Sequence, residues 1–399
     1  MLISKMLKKI CRYIIRAAAN YPIFFEISLR RRKKSGKKTM LLVKPEGIGD
    51  FILFYPTLRL YLEKFADYEV SFLASARNCG LAKELNDKLN LFSEIIVLDK
   101  EKFAANFFYR REFCLDIFKK NFSLVVYPTS WREPKCDVII QASGADKKIV
   151  FAGDGYYSDW EKTAANSAYS AIIPLPPDLF REIDKYRYFA EKITGRKIDY
   201  SAPRIEVFGE NILAARKALD NFGLSHKKFA VIFPGSADRY KIWPRERFAR
   251  VIRFLLAQGL APVVAGAAGD ERLFSEIAEN LRPEERASVA DLCGQTSLLT
   301  LAAILKKAEF YFGSDTGALH LAAAVGCPTV CLMGGGHFHR FFPYGDLKLN
   351  RIVFDRRMNC RNDDWACARK NKNEPAPCIA GIKTEDAIAE IQNLLKNSN

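Results

Sequence analysis

Beyond Lys38 the chain alternates short apolar runs with segments of helical periodicity, which is the signature of a parallel α/β architecture. In the first half Met40–Val43, Glu69–Leu73, Ile95–Leu98, Leu124–Tyr127 and Lys148–Phe151 read as strands, and Ile48–Lys64 as a helix. A Pro-rich, irregular stretch from Ile172 to Val207 interrupts the pattern. It restarts with strands at Phe229–Phe233, Ala261–Ala265, Ser288–Leu292, Glu309–Gly313 and Thr329–Leu332. Helices are expected between them near Pro244–Gln258, Asp270–Asn280 and Ser297–Lys307, with a small-residue helix over Leu321–Gly326. Two Rossmann-like halves follow, 39–207 and 208–399, with residues 1–38 outside them.

At 399 residues, about half of them apolar, the chain is long enough for two domains with real cores. The ten cysteines are too few for a disulfide scaffold of this length, and Cys79, Cys114, Cys136, Cys293, Cys327 and Cys331 read as small buried hydrophobes in a reducing compartment. The net charge of +16 is concentrated at one end. Residues 1–40 hold twelve Lys or Arg against one acid, Glu26, so the remainder carries only +5. A nucleic-acid footprint spread over a folded face is therefore not indicated.

The segment 1–38 interleaves Leu2, Ile3, Leu7, Ile10, Tyr13 and Ile14 with Lys5, Lys8, Lys9, Arg12 and Arg16, then runs through Tyr21-Pro22-Ile23-Phe24-Phe25 to Arg30-Arg31-Arg32-Lys33-Lys34. Arg12, Arg16 and Glu26 break any bilayer-spanning run, and no secretory cleavage pattern follows an uncharged core. A basic amphipathic helix with aromatic residues reads as a separable anchor on an anionic membrane surface; the plainer alternative is a solvated basic arm.

Candidate chemistry lies after the strands that open each half and at the turn after Glu309–Gly313, because ligands of such sheets bind at the carboxyl ends of strands. Ser314-Asp315-Thr316-Gly317 takes a strand through a Thr-Gly step into a helix start, whose unpaired N–H groups and positive dipole end suit a phosphate. Asp315 would repel that phosphate unless it binds sugar hydroxyls of the same ligand, so the pair suggests a nucleotide-sugar. Pro234-Gly235-Ser236 adds a hydroxyl at Ser236, and Lys241 a point charge, ahead of Trp243-Pro244, with Pro244 in the first turn of a helix. Alternatively, Trp243 and Pro244 only anchor that helix and Lys241 is solvated. In the first half Lys44-Pro45-Glu46-Gly47-Ile48-Gly49-Asp50 follows the opening strand; Gly47 and Gly49 permit a sharp turn, and Asp50 reads either as a site residue or as a helix cap.

Four segments together resemble glycosyltransferase family 9, the bacterial heptosyltransferase family of lipopolysaccharide core assembly: Lys44–Pro56, Phe233–Pro244, Gly266–Asp270 and Ser314–Pro328, in family order. The resemblance runs from about Met40 to the end of the chain. It implies a GT-B fold, two Rossmann-like domains with parallel sheets facing across a cleft, donor bound mainly by the C-terminal one, and the last helix placed to pack back on the N-terminal one. It implies inverting, metal-independent transfer without a cofactor. Asp50 matches the family's general base, Lys241 its diphosphate-binding lysine, Ser236 a hydroxyl at the phosphates, Asp315 its sugar-binding acid, and Thr316 and Gly317 the phosphate cradle. Asp270 falls where the family has a ribose-binding glutamate. The implied donor is a nucleotide-sugar, ADP-heptose first, and the implied acceptor a lipopolysaccharide core or lipid-linked glycoconjugate at the cytoplasmic face of the inner membrane. Inversion needs one base and positive groups on the departing diphosphate, which Asp50, Lys241 and the Thr316-Gly317 amides supply.

His320, a turn into an apolar helix, reads as a packed histidine, whereas His337 and His339 lie in a glycine-rich loop that either meets ligand or does not. Cys360, Cys367 and Cys378 are three loosely spaced candidates with no obvious fourth ligand; by the resemblance they are structural, and no metal is assigned. Trp131-Arg132-Glu133 is a candidate for the acceptor side. Two other classes compete with transfer. A catalytically silent scaffold is disfavoured by Asp50 and Lys241, and a dinucleotide oxidoreductase by the lack of a Gly-x-Gly-x-x-Gly run after either opening strand.

Overall fold

The computed structural model describes residues 18–32, 36–153, 159–367 and 373–397. They form two compact units. The first comprises the chain up to Gly47, Thr57–Phe180 and Asp184–Ile198; the second comprises Ile48–Pro56, Arg181–Ile183 and the chain from Asp199 onward.

In the first unit β1 (Thr39–Val43), β2 (Glu69–Ser75), β3 (Glu94–Leu98), β4 (Leu124–Tyr127), β5 (Lys147–Phe151) and β6 (Ala171–Ile173) make one sheet in the order β3-β2-β1-β4-β5-β6. Every pairing is parallel. Leu41, Val43, Leu73, Val125 and Val150 from the strands meet Ile117, Ile139 and Ile140 from the helices in a buried core. Helix Glu182–Thr194 and strand β6 fall in the stretch that the sequence pattern leaves irregular.

The segment 1–38 is not separable throughout. Residues 1–17 lie outside the described residues, but 18–28 are helical, and Ile23 is fully buried in the first unit's core, with Phe24 and Ile27 packed beside it. Arg111 grips Glu26 through two hydrogen bonds of 2.7 Å. Arg32 donates to Asn121 Oδ1, to the Gly144 and Phe122 carbonyls, and to Asp146 Oδ1 at 2.7–2.9 Å. A guanidinium with four acceptors holds its strand of chain in place. The outward face of the same helix leaves Tyr21, Phe25 and Leu29 exposed.

The second unit repeats the plan with β7 (Phe229–Phe233), β8 (Ala261–Gly266), β9 (Ala290–Cys293), β10 (Phe310–Ser314), β11 (Thr329–Leu332) and β12 (Asn350–Val353), in the order β12-β11-β10-β7-β8-β9 and again wholly parallel. Ile232, Val264, Phe312 and Leu332 pack with Trp243, Phe248, Ile252 and Leu255. The last helix, Thr384–Asn397, buries its apolar face, Ala387, Ile391 and Leu394, in the second unit's own core. Both units thus have doubly wound Rossmann order, and the chain has the GT-B architecture that the sequence implies.

Candidate functional site

The order of the second sheet reverses between β7 and β10, which pair in parallel from Phe310↔Ala230 to Gly313↔Phe233. Strands that diverge in connection at their carboxyl ends open a crevice there. Pro234-Gly235-Ser236 leaves β7 at this point and Asp315-Thr316-Gly317 leaves β10. The side chain of Ser314, the last residue of β10, donates to the Lys241 carbonyl at 2.9 Å and ties the short 3-10 turn Arg239–Lys241 to the end of that strand. Ser236 Oγ accepts the Asp238 amide at 3.3 Å. The Lys241 ammonium lies 3.6 Å from Asp238 Oδ2 and 5.3 Å over the Trp365 ring, with its side chain 16% exposed, so it is held against protein rather than solvated. Trp243 does anchor the following helix: it is fully buried and donates to the Ile382 carbonyl at 3.1 Å. Pro244 is the N-cap of helix Arg245–Ala257, one residue before the first turn expected for it.

The helix after β10 starts at Gly317, four residues earlier than its apolar run suggests, and runs to Ala324. Thr316 is its N-cap with extended backbone and makes no side-chain capping bond. The first-turn amides of Gly317, Ala318 and Leu319 therefore lack intrahelical acceptors at the positive end of the dipole. Two glycines bring a second helix start to the same place. A Cβ on Gly317 would lie 2.7 Å from Ile48 Cβ, and one on Gly49 would lie 2.6 Å from His320 Cδ2. Helix Ile48–Lys64 consequently abuts the cradle through its first residues, and Asp50 sits in that first turn, on the segment that belongs to the second unit.

Asp315 is largely buried, its side chain 13% exposed, with Oδ1 3.5 Å from His320 Nε2. Burial works to raise its pKa. The hydrogen bond from His320 and the positive potential of His320, Lys241 and His337 outweigh it and hold the carboxyl below the usual carboxylate range. His320 is packed, as its apolar helix suggests: its Nδ1 lies 3.1 Å from Tyr344 Oη and its ring stacks on Tyr344. Asp270 forms part of the floor. Its Oδ2 accepts the Ala267 amide at 2.9 Å, and Cβ atoms on Gly235 or Gly266 would come within 2.4 and 2.7 Å of it. Burial, helped by neighbouring Glu271, pushes its carboxyl up despite that amide. Ser236, Lys241, Asp270, Asp315, Thr316 and Gly317 thus line the ends of β7, β8 and β10.

Several residues of the site escape sequence reading. Trp365 is buried under Lys241, and its Nε1 lies 3.4 Å from His337 Nδ1, while His337 Nε2 bonds Asp364 Oδ1 at 3.0 Å. The signal was the glycine run 334–336: a Cβ on Gly334 or Gly336 would meet the Trp365 ring at 2.3 Å. His339 keeps apart from these contacts, with its ring stacked on Phe338. Cys360 and Cys367 do find a third donor, Asp363, with the three ligand atoms within 4.8 Å of one another. In the first unit Arg132 is buried against Asp137 at 3.2 Å and Asn166, and Glu133 pairs with Lys100 at 2.5 Å. Cys114, Cys136, Cys293, Cys327 and Cys331 are buried as expected, whereas Cys79 is half-exposed at a helix start, its thiol 3.5 Å from the Ala76 carbonyl.

The second half thus gathers a helix N-terminus and a lysine at the switch point of a doubly wound sheet, an arrangement suited to an anion. The model of glycosyltransferase family 9 (heptosyltransferase) matches residues 159–369, more than half of the chain. The chain is similar to lipooligosaccharide heptosyltransferase 2 of Campylobacter jejuni, 23% identical over 369 residues that cover 89% of this chain and 98% of that protein. Among solved structures it is similar to a glycosyl transferase family 9 protein from Veillonella parvula, at TM-score 0.72 and 18% identity over 92% of this chain and 100% of that one. It is also similar to the E. coli ADP-heptose lps heptosyltransferase II, at TM-score 0.66 and 17% identity over 90% and 100%. The chain belongs to glycosyltransferase family 9 and is a glycosyltransferase.

Proposed function

We propose that this protein moves a sugar from a nucleoside diphosphate donor, ADP-heptose first, onto a lipopolysaccharide core or related lipid-linked acceptor, with inversion and without a metal in the reaction. One observation carries the reading: the helix start at Gly317, Lys241 and the ionised Asp315 lie around one switch point, with the Asp50 turn packed against them through Gly49 and Gly317. The departing diphosphate lies on the amides of Gly317, Ala318 and Leu319, and the Lys241 ammonium and the helix dipole take up the charge that develops on it. Ser236 adds a hydroxyl donor. Asp315, held ionised by His320, accepts from the transferred sugar's hydroxyls, and Asp270 supports the nucleotide from the floor. Asp50 accepts the proton of the attacking acceptor hydroxyl, so that one bond to the anomeric carbon forms on the face opposite the one that breaks. The names of the relatives, which are heptosyltransferases of lipooligosaccharide and lipopolysaccharide, support the donor and the acceptor class.

Work at the cytoplasmic face of the inner membrane fits the same acceptor. Among the described residues no helix is long and apolar enough to cross a bilayer. The N-terminal helix instead exposes Tyr21, Phe25 and Leu29, at 67%, 53% and 71%, on the face opposite buried Ile23, with Arg30 and Arg31 beside them. Apolar side chains flanked by cations suit the interface of an anionic bilayer.

The test is a transfer assay with ADP-heptose and heptose-deficient core acceptors, the anomeric configuration of the product read by NMR. Asp50→Asn is expected to lower kcat by about 10²–10⁴-fold with donor binding retained. Full turnover by Asp50→Asn, or a product of retained configuration, contradicts the mechanism.

A further inference from the structure

The loop from Met358 to Cys367 carries no helix or strand, yet it sets Trp365 under Lys241. Its backbone is unusual. Asn362, Asp364 and Trp365 all have φ between 53° and 59°, the left-handed region that a tryptophan seldom adopts. Trp365 enters the core and Met358, partly buried, packs against it. A cross-link would hold a segment so conformed.

The donors for one are in place. Cys360 Sγ, a carboxylate oxygen of Asp363 and Cys367 Sγ lie within 4.8 Å of one another, in a group of that kind that is the only one found among the described residues. Four donors at ordinary metal–ligand lengths around a tetrahedral ion stand about 3.5–4 Å apart, so small rotamer adjustments close the set. The Asp363 carboxylate is already oriented, since its Oδ1 accepts the Trp365 amide at 3.1 Å. Cys378, at the start of helix Pro377–Ala380, stands outside this group: its Sγ accepts the Gly335 amide at 3.3 Å. Gly335 packs against the cluster from its other side, since a Cβ on it would stand 3.3 Å from Cys360 Sγ. Its neighbours tie the same strip to the loop, through Asn362 N–H to the Gly335 carbonyl at 2.7 Å and Asp364 N–H to the Gly336 carbonyl at 3.1 Å.

We propose that Cys360, Asp363 and Cys367, with solvent in the fourth position, hold a structural divalent transition-metal ion that staples this loop and so fixes Trp365 against Lys241. Two sulfurs and one carboxylate select a thiophilic ion, Zn²⁺ above the harder cations. Binding releases the thiol protons to solvent and changes no oxidation state. The ion lies in the supporting structure of the site, away from the transfer chemistry, and its presence is independent of which nucleotide-sugar the protein uses.

Elemental analysis of the full chain, purified under reducing conditions, is expected to give about one equivalent of zinc or iron, with two fewer thiols reacting in the native protein than after chelation. Cobalt added to the chelated protein is expected to restore a thiolate-to-metal charge-transfer band. Cys360→Ser with Cys367→Ser should abolish that band, and Cys79→Ser should leave it intact. Cys378→Ser, outside the donor group, should also leave the band intact. A metal-free protein that takes up no cobalt overturns the proposal, as does a Cys360–Cys367 disulfide in the native protein. The wild-type thiol count and cobalt titration decide the matter even where the serine variants fail to fold. A metal found with no ADP binding would leave the staple standing and count against the donor reading; the reverse result would do the opposite.

Discussion

The two halves of this chain share one topology, strand for strand, but spend their cations differently. At the end of β1 Lys44 is fully buried, donating to Glu46 Oε2 at 2.7 Å and to Tyr186 Oη at 2.8 Å. Arg132, after β4, is equally buried against Asp137. At the matching end of the second sheet Lys241 is paired only loosely, with Asp238 at the long distance of 3.6 Å, Asp315 within its field and the face of Trp365 beside it. Glycines 235, 266, 313 and 317 also clear the strand ends there, each at a point where a Cβ would collide. Shared doubly wound order thus offers two crevices, and the one whose lysine is not consumed by its own fold is the one suited to an anion.

The largest effect that sharpens this contrast is on stability. Lys44→Ala leaves half-buried Glu46 without the cation that bonds it and Tyr186 without its donor, and is expected to cost up to about 3–5 kcal/mol, measured by denaturant unfolding, whereas Lys241→Ala should cost well under 1 kcal/mol. Next come the interlocked glycines. Gly49→Ala drives a methyl into His320 and Gly317→Ala one into Ile48; each is expected to destabilise by about 1–3 kcal/mol and to lower kcat, because the Asp50 turn must move. Alanine tolerated at both sites with full turnover would separate Asp50 from the cradle.

A smaller effect concerns pH. Asp315 has a depressed folded-state pKa, so the stability it contributes is present above its unfolded pKa and lost as pH falls through the folded value, below the ordinary 3.8. His320→Gln removes the hydrogen bond that opposes burial. The acid limb of kcat/KM should then move to higher pH, and an unmoved limb would show that His320 only packs. Smallest for stability is the outer face of the first helix. Tyr21→Ser with Phe25→Ser and Leu29→Ser should change unfolding by less than about 0.5 kcal/mol per site, yet reduce sedimentation with anionic vesicles. Removing residues 1–38 is a poorer test, because Ile23 and Arg32 go with them.

Much of this was legible because the informative residues are neighbours in sequence. Helix Ile48–Lys64 and strands β4, β7 and β11 stand where apolar runs put them, since a strand buried on both faces leaves an uninterrupted run. Strand β12 hid because Asn350 and Arg351 make half of it polar at a sheet edge, and β6 because three residues are too few to show a period. Helix Glu182–Thr194 carries Ile183, Tyr186, Phe189 and Ala190 at helical spacing, but the prolines at 174, 176 and 177 mask its approach. The helix start after β10 was readable from Thr316-Gly317, while Trp365 was not, because it reaches Lys241, 124 positions away, only through folding. The same holds for Asp363, which no cysteine spacing announces.

The central claim, that the second unit's switch point is the diphosphate site and its lysine the more loosely paired one, is tested most directly by calorimetric titration of the full chain with ADP, UDP, GDP and NAD, repeated on Lys241→Ala and on any folded Lys44 variant. The account predicts one preferred nucleoside diphosphate, bound about 10–100-fold more weakly by Lys241→Ala and equally well by the Lys44 variant. Equal affinity of wild type and Lys241→Ala, a preference for NAD, or loss of binding only when Lys44 is changed would contradict it.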